Sequence, residues 1–192
     1  MADKNTEIKE TESIVVKSVE PDLSSTIEIY RGGVKDAFDK KSNRQIDNGL
    51  SEHAAILFEQ MFEHAQSKIR IFCKNLAAKV FDKDAIVTSA QKAVERGVAF
   101  EIVIQDENPE KSKFYEFLKT QSQNDKVSLH RLTSERLKDH TANFTVMDEA
   151  AYRYENNRDE FVAEANANSP PIAKLLISKF EAFKPFCDPL IA

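Results

Sequence analysis

A chain of 192 residues with 41% hydrophobic and 31% charged side chains has the length and balance of one globular domain with its own core. Its net charge of −5 argues against a broad nucleic-acid-binding face, because such faces are basic. No apolar run reaches the ~20 residues that cross a bilayer, and CxxC, HExxH and phosphate-loop patterns are absent. The opening Met1-Ala2-Asp3-Lys4-Asn5 lacks the apolar segment of a signal peptide. These features predict a cytoplasmic protein without membrane anchor, metal or cofactor. In that compartment Cys73 and Cys187, far apart in sequence, read as free thiols rather than a disulfide.

Residues 1–25 read as a flexible N-terminal tail and 26–192 as a single domain. Within the tail, Ile14 to Val19 is a candidate edge strand. Thr26-Ile27-Glu28-Ile29-Tyr30 alternates apolar and polar and predicts a strand, which Gly32-Gly33 would end in a plain turn. Residues 39–48 are polar and turn-like. Ser51 predicts an N-cap for a helix carrying Ala55, Ile56, Phe58, Met61, Phe62 and Ala65 at spacings of three and four. His53 and His64 lie at its two ends, too far apart to bind one metal together. His64 suits the helix C-terminus, where a cation complements the dipole.

Lys68 to Cys73 predicts a strand, and Asp84 opens a helix that Gly97 closes. Val98 to Ile104 predicts a second buried strand. Pro109 stands near the start of a third helix carrying Phe114, Phe117 and Leu118, and Val127 to Leu132 predicts a third strand. This alternation is the pattern of a parallel α/β sheet. Asn143 to Asp148 and Ala151 to Glu155, separated by a tight turn, predict a late β-hairpin. Phe161 to Ala165 reads as one more strand, and Ser169-Pro170-Pro171 starts a final apolar-faced helix through Phe183.

The stretch Asp139 to Asp148 holds the candidate chemistry. A histidine, His140, stands at the mouth of the predicted strand, and a carboxylate, Asp148, stands at its end. Thr141, Asn143 and Thr145 alternate along one face and offer neutral hydrogen-bonding groups. Asp148 reads most simply as a turn residue or a cap for backbone N–H groups. Arg153 is either solvated or paired with Glu155, and His130 reads as a surface strand residue.

Several of these segments together resemble one half-unit of the phospholipase D superfamily. Ser67 to Phe72 resembles that family's first core strand. Val94-Glu95-Arg96-Gly97-Val98 followed by Phe100 to Ile104 resembles its helix, Arg-Gly-Val, strand unit. Asn143 to Asp148 with Tyr152-Arg153 resembles the strand of its catalytic motif, and Ala165 to Pro170 with the last helix resembles its closing segment. The resemblance spans roughly residues 50–187. It implies an α/β fold with a mixed sheet flanked by helices and the late hairpin.

The family's reaction implies a His-x-Lys-x4-Asp pattern, with histidine as nucleophile on phosphorus and lysine on the phosphate oxygens. Counting back from Asp148 puts Asn143 at the lysine position and Thr141 at the histidine position. Counting forward from His140 puts Ala142 and Met147 where lysine and aspartate belong. Neither register supplies the set, and the acidic, polar Glu155 to Glu160 stands where the family carries Gly-Ser. An asparagine donates a hydrogen bond but brings no charge to a phosphodiester.

These departures imply a catalytically degenerate domain acting as an interaction or regulatory module. It would be a homodimer, as one-unit members of the superfamily pair, with an unidentified protein partner. Ala163 to Ala167 and Pro185-Phe186-Cys187 are candidate contributors to the interface or equally to the core. Two alternatives stand beside this reading. One is a metal-independent phosphodiesterase or nuclease using His140 with a neighbour from the cluster Arg131, Arg136 and Lys138. The other is a module that binds an anionic ligand or nucleotide through Thr141, Asn143, Thr145 and Asp148.

Overall fold

The computed structural model describes residues 23–121, 123–134, 137 and 142–191. The tail segment 1–22, with its candidate strand, lies outside them, and so do Arg136, Lys138, His140 and Thr141. Eight strands form one sheet in the order β1-β7-β6-β5-β2-β3-β4-β8. Its centre is the expected parallel set, β2 (Lys68–Cys73), β3 (Ala99–Ile104) and β4 (Val127–Leu132). The late hairpin, β5 (Asn143–Met147) and β6 (Ala151–Glu155), joins antiparallel beside β2. β7 (Ala163–Asn166) and β1 (Gln45–Asn48) extend that wing, and β8 (Cys187–Ile191) pairs antiparallel with β4 at the other edge.

Helices cover both faces, and strand alternation assigns each side chain to one of them. Ile69, Ile71, Phe100, Ile102, Ile104, Met147 and Ala151 point to the larger core. It is shared with α1 (Leu23–Asp39), α2 (Ser51–His64), α3 (Ala78–Phe81), α4 (Asp84–Glu95) and α5 (Lys113–Thr120). Phe72, Val103, Phe144, Val146 and Tyr152 point the other way, onto α6 (Pro170–Phe183). There Phe72 stacks on Phe144 with ring centroids 5.1 Å apart.

Helix ends set the strand positions. Gly97 sits at φ +87°, and its N–H bonds to the Val94 carbonyl at 2.8 Å. The next N–H, from Val98, reaches the Ala93 carbonyl at 3.0 Å, which completes a Schellman closure and turns the chain into β3. Arg96 Nη2 donates to the carbonyls of Phe62 (2.7 Å) and Glu63 (3.0 Å), tying that closure to the end of α2. The Ser112 hydroxyl accepts from the Tyr115 N–H at 3.2 Å and caps α5, four residues after the expected Pro109 start.

Several local expectations need correction. Thr26 to Tyr30 is helix, not strand, and Gly32-Gly33 continues α1 rather than ending an element. Ile27, Tyr30, Val34, Ala37 and Phe38 recur at helical spacing and pack on α2, so burial of that stripe overrides the short alternation. The segment read as turn contains β1, which is held by pairing with β7. Leu50, not Ser51, is the N-cap of α2, and the Ser51 hydroxyl donates to Glu52 instead. His64 lies at the C-terminal end of α2, where Nδ1 contacts the Gln60 carbonyl (2.9 Å) and Nε2 contacts Asp39 (3.0 Å). Cys73 and Cys187 are both free thiols.

A buried polar cleft at the strand ends

β5 runs antiparallel to β2, so its first residue lies beside the C-terminal ends of the parallel strands. In open α/β sheets this end carries the ligand crevice. Register then fixes the neighbours. Asn143 faces Glu155 and Thr145 faces Arg153 across the β5–β6 ladder, all four on the side covered by α1–α5. Cys73 at the end of β2 and Lys74, Asn75 and Leu76 in the loop after it also line the cleft. Leu76 adopts φ +60°, a conformation branched side chains avoid, and it does so at the cavity wall.

The cavity measures about 290 Å³. Phe58, Leu76, Val80 and Phe161 supply apolar wall, and Asn143, Thr145, Arg153 and Glu155 supply the polar floor. Four cations line it (Lys74, Lys79, Arg153, Arg158) against three carboxylates (Glu110, Glu155, Asp159). Most of these charges are already matched. Lys74 Nζ lies 2.6 Å from Asp159. Arg153 Nη1 lies 2.7 Å from Glu155, and both side chains are almost wholly removed from solvent. Burial pushes the Glu155 carboxyl above its ordinary range, against the pull of Arg153.

Arg153 is only 3% exposed. Its Nε donates to Asn48 Oδ1 at 3.1 Å, and the guanidinium lies 5.8 Å from the centre of the Phe58 ring. Its Nη2 has no hydrogen-bond partner among the described residues. A buried donor left so costs about 1–3 kcal/mol.

Asn143 is held at both ends of its amide. Nδ2 donates to Glu155 Oε1 at 3.1 Å, and Oδ1 accepts from the Lys74 N–H at 2.9 Å. The amide therefore pins the loop after β2 to β6. Gln105 adds a second tie, donating to the Ala142 carbonyl (3.1 Å) and accepting from Arg158 (3.0 Å). Cys73 also lines the cleft, but burial pushes its thiol up to about 12, so it is no thiolate at neutral pH.

Of the sequence candidates, Asn143 and Thr145 meet in this cleft, while His140 and Thr141 fall outside the described residues. Asp148 stands at the opposite end of β5. Its Oδ1 accepts from the N–H groups of Ser67 (2.8 Å) and Lys68 (3.0 Å), and its Oδ2 accepts from Gln66 N–H at 3.1 Å. Burial opposes its charge, but the donors of Lys68, Ser67 and Gln66 together outweigh burial and hold the carboxyl below its usual range. His130 is a half-buried strand residue, with burial first and Lys184 second lowering its pKa. Arg153 takes the paired alternative, with Glu155. Asn48 and Gln105 were not legible as site residues. Asn48 reaches Arg153 only because β1 joins the sheet two strands beyond β6.

Among its described lining residues the cleft presents neither an activated nucleophile nor a histidine. No group of His, Cys, Asp and Glu among the described residues forms a metal site, and none of the described helices is long and apolar enough to cross a membrane.

No protein-family model matches the sequence, and no curated protein matches it. Solved structures do. The phospholipase D family member Nuc from Salmonella typhimurium superposes with a TM-score of 0.54 at 14% identity, over 71% of this chain and 90% of that one. NucT from Helicobacter pylori gives 0.54 at 12% identity, over 77% of this chain and 99% of its own. The archaeal chromatin protein TrmBL2, described with a novel mode of DNA binding, gives 0.54 at 14% identity. That match takes in 88% of this chain and 63% of the archaeal protein. With its parallel core, antiparallel hairpin wing and helices on both faces, the chain has a phospholipase D-like fold.

Proposed function

We propose that this is a catalytically degenerate phospholipase D-like domain that works as a non-catalytic interaction or regulatory module and pairs as a homodimer. The observation that carries the reading is Asn143. At the position where the family resemblance expects a phosphate-binding lysine, this side chain spends both ends of its amide on structure, tying Glu155 to the Lys74 backbone. The buried cation beside it, Arg153, is matched by Glu155, so the cleft floor offers little free positive charge to a phosphodiester. A carboxylate there works against phosphoryl chemistry rather than for it.

Incubation with bis-p-nitrophenyl phosphate and with single- and double-stranded DNA tests the first part. The reading expects no turnover above buffer. The homodimer is tested by light scattering at micromolar concentration. A mass near twice 21.8 kDa is expected, and a strict monomer would remove that element of the reading.

A further inference from the structure

We infer that the cleft binds a small uncharged molecule carrying a carbonyl or hydroxyl oxygen on an apolar body. This deepens the non-catalytic reading and rests on it.

Three observations converge on that chemistry. The first is the orphaned donor. Arg153 Nη2 lies in a side chain that lines the cavity, is nearly inaccessible to solvent and has no partner among the described residues. Its two sister nitrogens are engaged by Asn48 and Glu155, which fixes the guanidinium plane and holds the third nitrogen ready for an oxygen acceptor.

The second is charge balance. An anionic ligand reaching Arg153 meets the buried Glu155 carboxylate, and a cationic ligand there meets Arg153 itself. Either would have to displace that buried ion pair or stand unpaired beside it at the desolvated floor. An uncharged ligand does neither.

The third is size and lining. About 290 Å³ holds roughly ten atoms of water size at ~30 Å³ each. That is the low end for ligand pockets, which are mainly apolar with a few placed polar groups. Phe58, Phe161 and Val80 beside one free N–H donor match that description.

Benzamide, benzoate and benzamidine make a decisive set, because they share one ring and differ mainly in charge. Each would be titrated into the uniformly 15N-labelled full chain, following the backbone amides of Lys74, Asn143 and Thr145 by NMR. The expected result is saturable binding of benzamide in about the millimolar range, the level open to so few atoms. Benzoate and benzamidine should bind at least about tenfold more weakly, since each tenfold reflects one unmet charge or hydrogen bond. Arg153→Lys keeps the charge but removes the second terminal nitrogen, and should weaken benzamide about tenfold while the spectrum stays native.

Benzoate or benzamidine binding as well as benzamide would overturn the uncharged class. No saturable shift with any of the three would overturn the site, and unchanged affinity in a native Arg153→Lys would overturn the role of Nη2. Should Arg153→Lys fail to fold, the wild-type comparison still decides. Turnover is read separately. An inactive protein that ignores benzamide loses the site and keeps the non-catalytic reading, and an active one that binds it loses only that reading.

Discussion

Asp148 shows how far a single residue can be read. Its place at the end of an alternating stretch marks it as a cap, and three consecutive backbone donors converge on it. It also sits at φ +53°, which aspartate tolerates better than alanine. Asp148→Ala should therefore cost about 2 kcal/mol in urea unfolding at pH 7, and Asp148→Asn somewhat less. The pH dependence follows from its depressed pKa. The folded carboxyl stays charged below the pH at which the unfolded one protonates, so its contribution is complete above the ordinary carboxylate range near ~4. It is lost as pH falls through the folded value, and the gap between wild type and Asp148→Asn should close there. A gap that persists unchanged in acid would show that the charge contributes nothing. Arg153 and Glu155 were half legible, because period two puts residues 153 and 155 on one face. Their near-complete burial was not, since it depends on β1 and the loop after β2, which come from distant parts of the chain.

At the scale of elements, the central strands and α2, α4 and α6 were legible because each carries a sustained period. α1 was not, because five alternating residues fit both periods and only the longer stripe from Ile27 to Phe38 decides for helix. The edge strands β1 and β8 were illegible for a related reason. Edge residues are half solvated and polar or Pro-bearing, and backbone pairing rather than side-chain pattern holds them. The helical assignment of α1 has a sharp consequence at Gly32 and Gly33. A Cβ at either position meets no atom within 4 Å. Gly32→Ala and Gly33→Ala should each raise stability by roughly 0.5–1 kcal/mol, because alanine costs less entropy to fix in a helix. Were residues 26–33 a strand and turn, the same changes would be neutral or destabilising, so thermal unfolding of the pair discriminates.

At the scale of the molecule, one sheet separates two cores, and the cleft lies where the antiparallel wing meets the parallel centre. The same architecture appears in Nuc and NucT at 14% and 12% identity, a level at which the fold is shared and the chemistry is not thereby given. In this chain Asn143, Arg153 and Glu155 stitch the cleft floor together. Asn143, counted back from Asp148, was legible in the sequence as a place where the chain departs from the His-x-Lys pattern that the family resemblance implies. The polar network across β5 and β6 was not legible, because it depends on the strand register. The most direct measurement is the initial rate of bis-p-nitrophenyl phosphate hydrolysis, with chelator present, for wild type beside His140→Ala. The account predicts that both proteins give only the buffer rate. A wild-type rate above buffer that vanishes in His140→Ala would contradict it, and would mean that phosphoryl chemistry persists in a shifted register.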